Sequence, residues 1–174
     1  MVSSFVFQVV GFQNSGKTTL VQSLIEKLSS EGIKVGTIKH HGHGGKPEVN
    51  ERKDSAVHIQ TGAHLSLVEG DGRLILQAEK TSWSLDEQIS LLSSFQLDFI
   101  LIEGHKYADY PKAVIIKQEK DLQLLRELTN VKAVFVWSED LSNQLFPLFE
   151  VEFFQLNDLK GMEWLIHYLK NHIR

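Results

Sequence analysis

Apolar and polar positions fall along this chain in blocks of two kinds. FVFQVVGF (5–12) is a continuous apolar run ended by glycine, the pattern of a buried strand. Over 18–32, Leu20, Leu24, Ile25 and Leu28 recur at helical spacing, and Gly32 follows as a stop. Residues 33–40 read as a second strand, 41–51 as a polar glycine-rich loop and 54–63 as a short helix. Two strands, 64–70 and 73–79, flank Asp71-Gly72, a strong hairpin signal. Ser84 with Glu87 three residues on forms a capping box that opens a helix over 84–95. The run 98–106 reads as a strand buried on both faces. Then come a strand at 113–118, a helix at 121–128, a strand at 131–137, an irregular segment or short helix at 141–149 broken by Pro147, a strand at 151–156 and a closing helix at 158–174, with Asp158 near its start.

This alternation predicts βαβ units. The expected fold is α/β: a three-layer α/β/α arrangement of the P-loop NTPase kind, with a mostly parallel central sheet and an added β-hairpin at about 64–79, in one domain spanning 1–174. With 42% apolar and 23% charged residues the composition is that of an ordinary globular chain. It is long enough to bury a core without a disulfide or metal staple. Cysteine is absent, which excludes disulfides and thiolate metal sites; with no secretory signal, a cytoplasmic location is expected. No apolar stretch approaches the roughly 20 residues a membrane-spanning helix needs. The net charge of −4 argues against a broad nucleic-acid surface.

GFQNSGKTT (11–19) fits G-x-x-x-x-G-K-[ST] at every fixed position, with a strand before it and a helix after. Gly11 and Gly16 let the backbone approach a phosphate closely. The amides around Gln13, Asn14, Ser15, Gly16, Lys17, Thr18 and Thr19 and the positive end of the helix dipole favour an anion. Lys17 brings a point charge to the β- and γ-phosphates, and the Thr18 hydroxyl is a ligand for Mg2+. Such a site needs an acidic residue at the end of a neighbouring strand. Glu103, closing Phe99-Ile100-Leu101-Ile102 and followed by Gly104, supplies it, whereas Asp98 starts that strand and falls at the far end.

His40, His41 and His43 cluster after the second strand. Three readings stay open for them: solvent-facing side chains, contacts to phosphate or an anionic partner together with Lys39, or a transition-metal site. His58 lies four residues after Asp54, on one face of a helix. Asp54 either orients water or Mg2+ or caps the helix.

Taken in order, GFQNSGKTT, TIKHHGHG, KDSAVHIQTGA and DFILIEGHKYADYPKAVIIK resemble the molybdopterin-guanine dinucleotide biosynthesis protein B (MobB) family over about residues 4–137. The resemblance implies a GTP-binding adaptor in molybdenum-cofactor maturation, with weak GTPase activity. It implies phosphate and Mg2+ roles for Gly16, Lys17 and Thr18, a magnesium-side role for Glu103 with Gly104, and a functional face holding Lys39, His40, Asp54 and His58. It further implies a homodimer and partnership with the guanylyltransferase that joins GMP to molybdopterin. Val57 and His105 depart from the family's usual basic and aromatic residues at those positions. No N-K-x-D guanine-reading motif occurs, so guanine follows from the resemblance.

Two other functions fit the same loop: a small-molecule kinase or ATP-dependent biosynthetic enzyme, and a metallochaperone GTPase using the histidine loop. A kinase needs arginines over the phosphates, and Arg52, Arg73, Arg126 and Arg174 are scattered. The hairpin's Leu65, Leu67, Leu74 and Leu76 need cover, either from their own domain or from a neighbour's sheet.

Overall fold

A computed structural model describes residues 4–42, 44–47, 54–141 and 149–173. In chain order its elements are β1 (Phe5–Gly11), α1 (Lys17–Ser30), β2 (Val35–Lys39), α2 (Asp54–Gln60), β3 (Leu65–Gly70), β4 (Arg73–Ala78), α3 (Leu85–Ser93), β5 (Phe99–Glu103), β6 (Lys112–Ile116), a 3-10 turn (Glu119–Leu122), α4 (Gln123–Glu127), β7 (Val131–Val136), β8 (Glu152–Gln155) and α5 (Leu159–Lys170). They fall into two compact units, one of Met1–His40 with Gln88–Arg174, the other of His41–Glu87.

The first unit is built on a six-stranded sheet in the order β2-β5-β1-β6-β7-β8. Every neighbouring pair in it is parallel. Strands covered on both faces carry near-continuous apolar runs, and Phe99, Ile100, Leu101 and Ile102 of β5 are all completely buried. On one face Phe7, Val9, Phe99 and Leu101 pack against Leu20, Leu24 and Leu28 of α1 and Leu165 and Leu169 of α5. The four-residue spacing of the α1 leucines makes a single stripe, and each fully buried leucine contributes about 1.5–3 kcal/mol. The opposite face joins Val10, Val114, Ile116, Val134 and Val136 to Leu124 and Leu125 of α4. Helix α1 ends at the residue its sequence signals: Gly32 N donates to Ser29 O at 3.0 Å and Ile33 N to Leu28 O at 3.1 Å, the two bonds that close a helix C-terminus.

The second unit holds α2 and the antiparallel pair β3-β4. Gly70 pairs with Arg73 across Asp71-Gly72, whose φ values of 49° and 75° are those of the two-residue turn that matches strand twist. Ser66 is buried, while Leu65, Leu67 and Leu74 are exposed. The capping box forms as read: Ser84 N donates to Glu87 Oε2 at 2.9 Å and Glu87 N to Ser84 Oγ at 3.2 Å.

Several segments differ from the sequence reading, with α2 ending at Gln60 and α5 at Lys170. The strand expected over 98–106 stops at Glu103, and the helix expected over 121–128 is a 3-10 turn followed by the short α4. Asp121 explains this last difference, because its buried Oδ2 accepts from Lys117 N at 3.0 Å and Gln118 N at 3.3 Å and winds the chain tightly there. Most of 141–149, and His43 and residues 48–51 of the expected loop, lie outside the described residues. Among the described residues no helix is long and apolar enough to cross a membrane.

Candidate functional site

The carboxyl ends of β1, β2 and β5 meet around the glycine loop, because parallel strands all end on one edge. From Gly11 the chain turns through Asn14, at φ 56°, and enters α1 through Gly16, at φ 99° and ψ 7°. A side chain at Gly16 would be strained there, and its Cβ would come within 2.9 Å of Leu156 Cδ2. Helix α1 has no side-chain cap and no acidic residue in its first turn. Its first N–H groups and positive dipole end are therefore presented to an anion.

Lys17 arches back over this loop, its Nζ donating to Phe12 O at 2.6 Å. Burial lowers its pKa, Glu103 opposes that shift, and Lys106 and Lys39 add to it. Glu103 pairs with Val9 of β1 on one side and Lys39 of β2 on the other. Thr18 Oγ1 donates to Glu103 Oε1 at 2.8 Å. Lys39 Nζ lies 3.2 Å from both oxygens. A hydroxyl and a carboxylate oxygen beside each other are hard donors of the kind Mg2+ takes, and the Lys39 ammonium between them marks the spot as one that favours positive charge. Asp98 is at the other end of β5, where its carboxylate accepts from Lys34 N at 2.7 Å.

After Glu103 the backbone turns through Gly104, at φ 101°, which a Cβ would crowd against His40 Cβ at 3.0 Å. The His40 and His105 rings stand 4.6 Å apart. Burial, and then His40, lower the pKa of His105.

Gly11, Gln13, Asn14, Ser15, Gly16, Lys17, Thr18, Thr19, Lys39, His40, Glu103 and Gly104 all belong to the first unit. Gln13, Asn14, Thr18 and Thr19 are exposed, whereas the Ser15 hydroxyl is turned inward, buried and unpartnered. A Cβ on Gly11 would meet that hydroxyl at 2.6 Å, so the loop is packed tightly from below. Asp54 and His58 belong to α2 in the second unit, Asp54 as the first residue of the helix and His58 exposed near its end.

Four residues with no motif signal also shape the site. Gln8, buried within β1, donates from Nε2 to Gly104 O at 3.2 Å and His105 O at 2.8 Å. Lys112, also fully buried, grips Ala108 O at 2.7 Å and Thr129 O at 2.9 Å, so the segment after Glu103 is held at both ends. Lys117 Nζ donates to Asn14 O at 3.2 Å, and Trp137 Nε1 to Ser15 O at 2.8 Å. Lys117 and Trp137 stand at strand ends on the loop's own edge of the sheet, which is the one cue the sequence offers for them.

Comparison with known proteins adds identity to this geometry. Residues 6–137 match the family described as Molybdopterin guanine dinucleotide synthesis protein B. A probable molybdopterin-guanine dinucleotide biosynthesis adapter protein of Bacillus subtilis (strain 168) is 40% identical over 163 residues, covering 90% of this chain and 94% of that one. The molybdopterin-guanine dinucleotide biosynthesis adapter protein of Escherichia coli (strain K12) is 30% identical over 162 residues, covering 88% and 89%. The crystal structure of Bacillus subtilis MobB superposes with a TM-score of 0.80 at 35% identity, covering 97% of this chain and 98% of that one. The matched span contains the glycine loop, Thr18, Lys39 and Glu103, and the chain belongs to the molybdopterin guanine dinucleotide synthesis protein B family.

Proposed function

We propose that this protein is a GTP-binding adaptor with slow GTPase activity, acting in molybdenum-cofactor biosynthesis beside the guanylyltransferase that joins GMP to molybdopterin. The observation that carries the reading is the meeting of Thr18, Glu103 and Lys39 next to an uncapped helix N-terminus. The names of the relatives supply the pathway and the word adapter. Lys17 and the loop amides hold the β- and γ-phosphates and offset the charge that builds up as water attacks the γ-phosphorus in line. Mg2+, held by Thr18 with Glu103 beside it, neutralises phosphate charge when bound. Glu103 keeps the Thr18 hydroxyl oriented, and Lys39 balances the carboxylate. The four arginines, Arg52, Arg73, Arg126 and Arg174, are scattered along the sequence, which weighs against a kinase lid and for slow turnover. The exposed leucines of the hairpin support a homodimer in which a second copy covers them.

Calorimetry with GTP and ATP in the presence of Mg2+, on the wild type and Lys17→Ala, tests the reading. GTP is expected to bind more tightly than ATP, and the variant to lose most of the affinity. Absence of GTP binding to the wild type, or full affinity in the variant, overturns it.

A further inference from the structure

The glycine loop has two flanks. On the β5 and β2 side stand Glu103 and Lys39, bonded to Thr18. On the other side β6 and β7 end, and Lys117, Glu119 and Trp137 follow them. Lys117 follows β6, and its ammonium lies 4.7 Å from the centre of the Trp137 ring while donating to Asn14 O. Trp137 follows β7 and is fixed by its bond to Ser15 O, yet 49% of it is exposed. An indole pinned at its polar edge with half its surface open is a preorganised stacking face. Glu119 is exposed and makes no hydrogen bond or ion pair among the described residues. Its backbone is set by the reciprocal bonds of Gln118 and Asp121 around the 3-10 turn.

The geometry points to a purine shelf on this flank: the base of a nucleoside triphosphate stacks on Trp137 and the Lys117 stem, and Glu119 accepts from the donor edge that guanine has and adenine lacks. This rests on the loop being a triphosphate site. With the metal-linked end of the triphosphate at Thr18 and Glu103, the nucleoside leaves toward β6 and β7. Neighbouring strands are about 4.8 Å apart, so β7 is about 10 Å from β1, which a ribose and its first phosphate span. A carboxylate only accepts, so it pairs with the N1–H and amino group of guanine and faces the bare N1 acceptor of adenine. Lys117 acts as a positioning residue, tying the shelf to the loop through Asn14 O.

The test titrates the full chain calorimetrically, in Mg2+, with GTP, ATP and inorganic tripolyphosphate. Trp137→Ala is expected to weaken GTP and ATP about tenfold more than it weakens tripolyphosphate, which feels only the lost bond to Ser15 O. Trp137→Phe, which keeps a stacking face but loses the bond to Ser15 O, retains most of the nucleotide affinity. Glu119→Gln lowers the GTP-to-ATP preference about tenfold with tripolyphosphate unaffected. Thermal unfolding confirms that each variant is folded. Equal losses for all three ligands in Trp137→Ala, a Phe variant as impaired as the Ala variant, or an unchanged preference in Glu119→Gln overturns the shelf while the loop reading stands. A wild type that binds neither GTP nor tripolyphosphate overturns the loop reading and the shelf with it.

Discussion

Replacing Gly16 by alanine strains one residue at the mouth of the loop by an amount that can be worked out. At φ 99° an L-residue is beyond the left-handed minimum, which costs about 1–2 kcal/mol. Its Cβ would approach Leu156 Cδ2 to 2.9 Å, and that methyl is the free end of a side chain that can turn aside for about 0.5–1.5 kcal/mol. Alanine also narrows the unfolded ensemble, which offsets about 0.4–1 kcal/mol. Backbone strain is the larger cost, and the net loss is about 1.5 kcal/mol. For a chain of this size that lowers the melting temperature by about 3–6 °C. Thermal and urea unfolding of Gly16→Ala measure it directly. Repeating the substitution in a Leu156→Ala background removes the contact and leaves the backbone strain less the unfolded-state offset, so the cost should shrink by roughly half. A melting temperature unchanged in Gly16→Ala, or a cost that vanishes altogether once Leu156 is trimmed, would refute the claim that backbone geometry at this position dominates.

Three further outcomes are expected. His105 has a pKa below its usual 6.5, so the unfolded chain binds more protons between the two values; its contribution is complete above about 6.5 and is lost as pH falls through the folded-state value. The urea midpoint should therefore drop on acidification from about pH 7.5 to 5, with a smaller drop in His105→Phe; parallel pH profiles would contradict this. In α5, Gly161→Ala gains about 1 kcal/mol of helix propensity. The new Cβ meets Phe154 Cβ at 2.7 Å and Phe135 Cε1 at 2.8 Å, atoms that cannot swing clear, so overpacking of about 1–3 kcal/mol wins and urea unfolding should show a less stable variant. Glu103→Gln removes the charge beside Thr18 and should weaken the Mg2+-dependent part of GTP affinity about tenfold, read by titration at several Mg2+ concentrations; an identical Mg2+ dependence would rule out the magnesium-side role.

The strands and helices were legible because their apolar periods are strong and their ends carry chemical punctuation: Gly32 after α1, Asp71-Gly72 between β3 and β4, and the Ser84–Glu87 box before α3. The loop was legible for the same reason, since its spacing is fixed by the backbone shape it must take. What the sequence hid depends on strand order. Alternation of elements does not reveal that β1 lies between β5 and β6, yet that order is what brings Glu103 to Thr18 and Lys117 to Asn14. Gln8 was equally hidden: a lone polar residue in FVFQVV takes its meaning from carbonyls 96 and 97 positions away. Asp121 reads as the start of a helix, and only its burial beneath Lys117 N and Gln118 N explains the tighter turn.

The grip of Gln8 on Gly104 O and His105 O, with that of Lys112 on Ala108 O, has a consequence for how this connection can change. Its residue count is set by two fixed moorings in the sheet floor, so inserting or deleting a residue between 104 and 108 would drag on Glu103 itself. Side-chain identity is under less restraint at Tyr107, which is 69% exposed and whose hydroxyl donates to Glu127 Oε2 at 3.2 Å. Diversification here should proceed by exchange of residues at constant length, and a tag or label belongs on the Tyr107 side chain rather than in the chain that carries it.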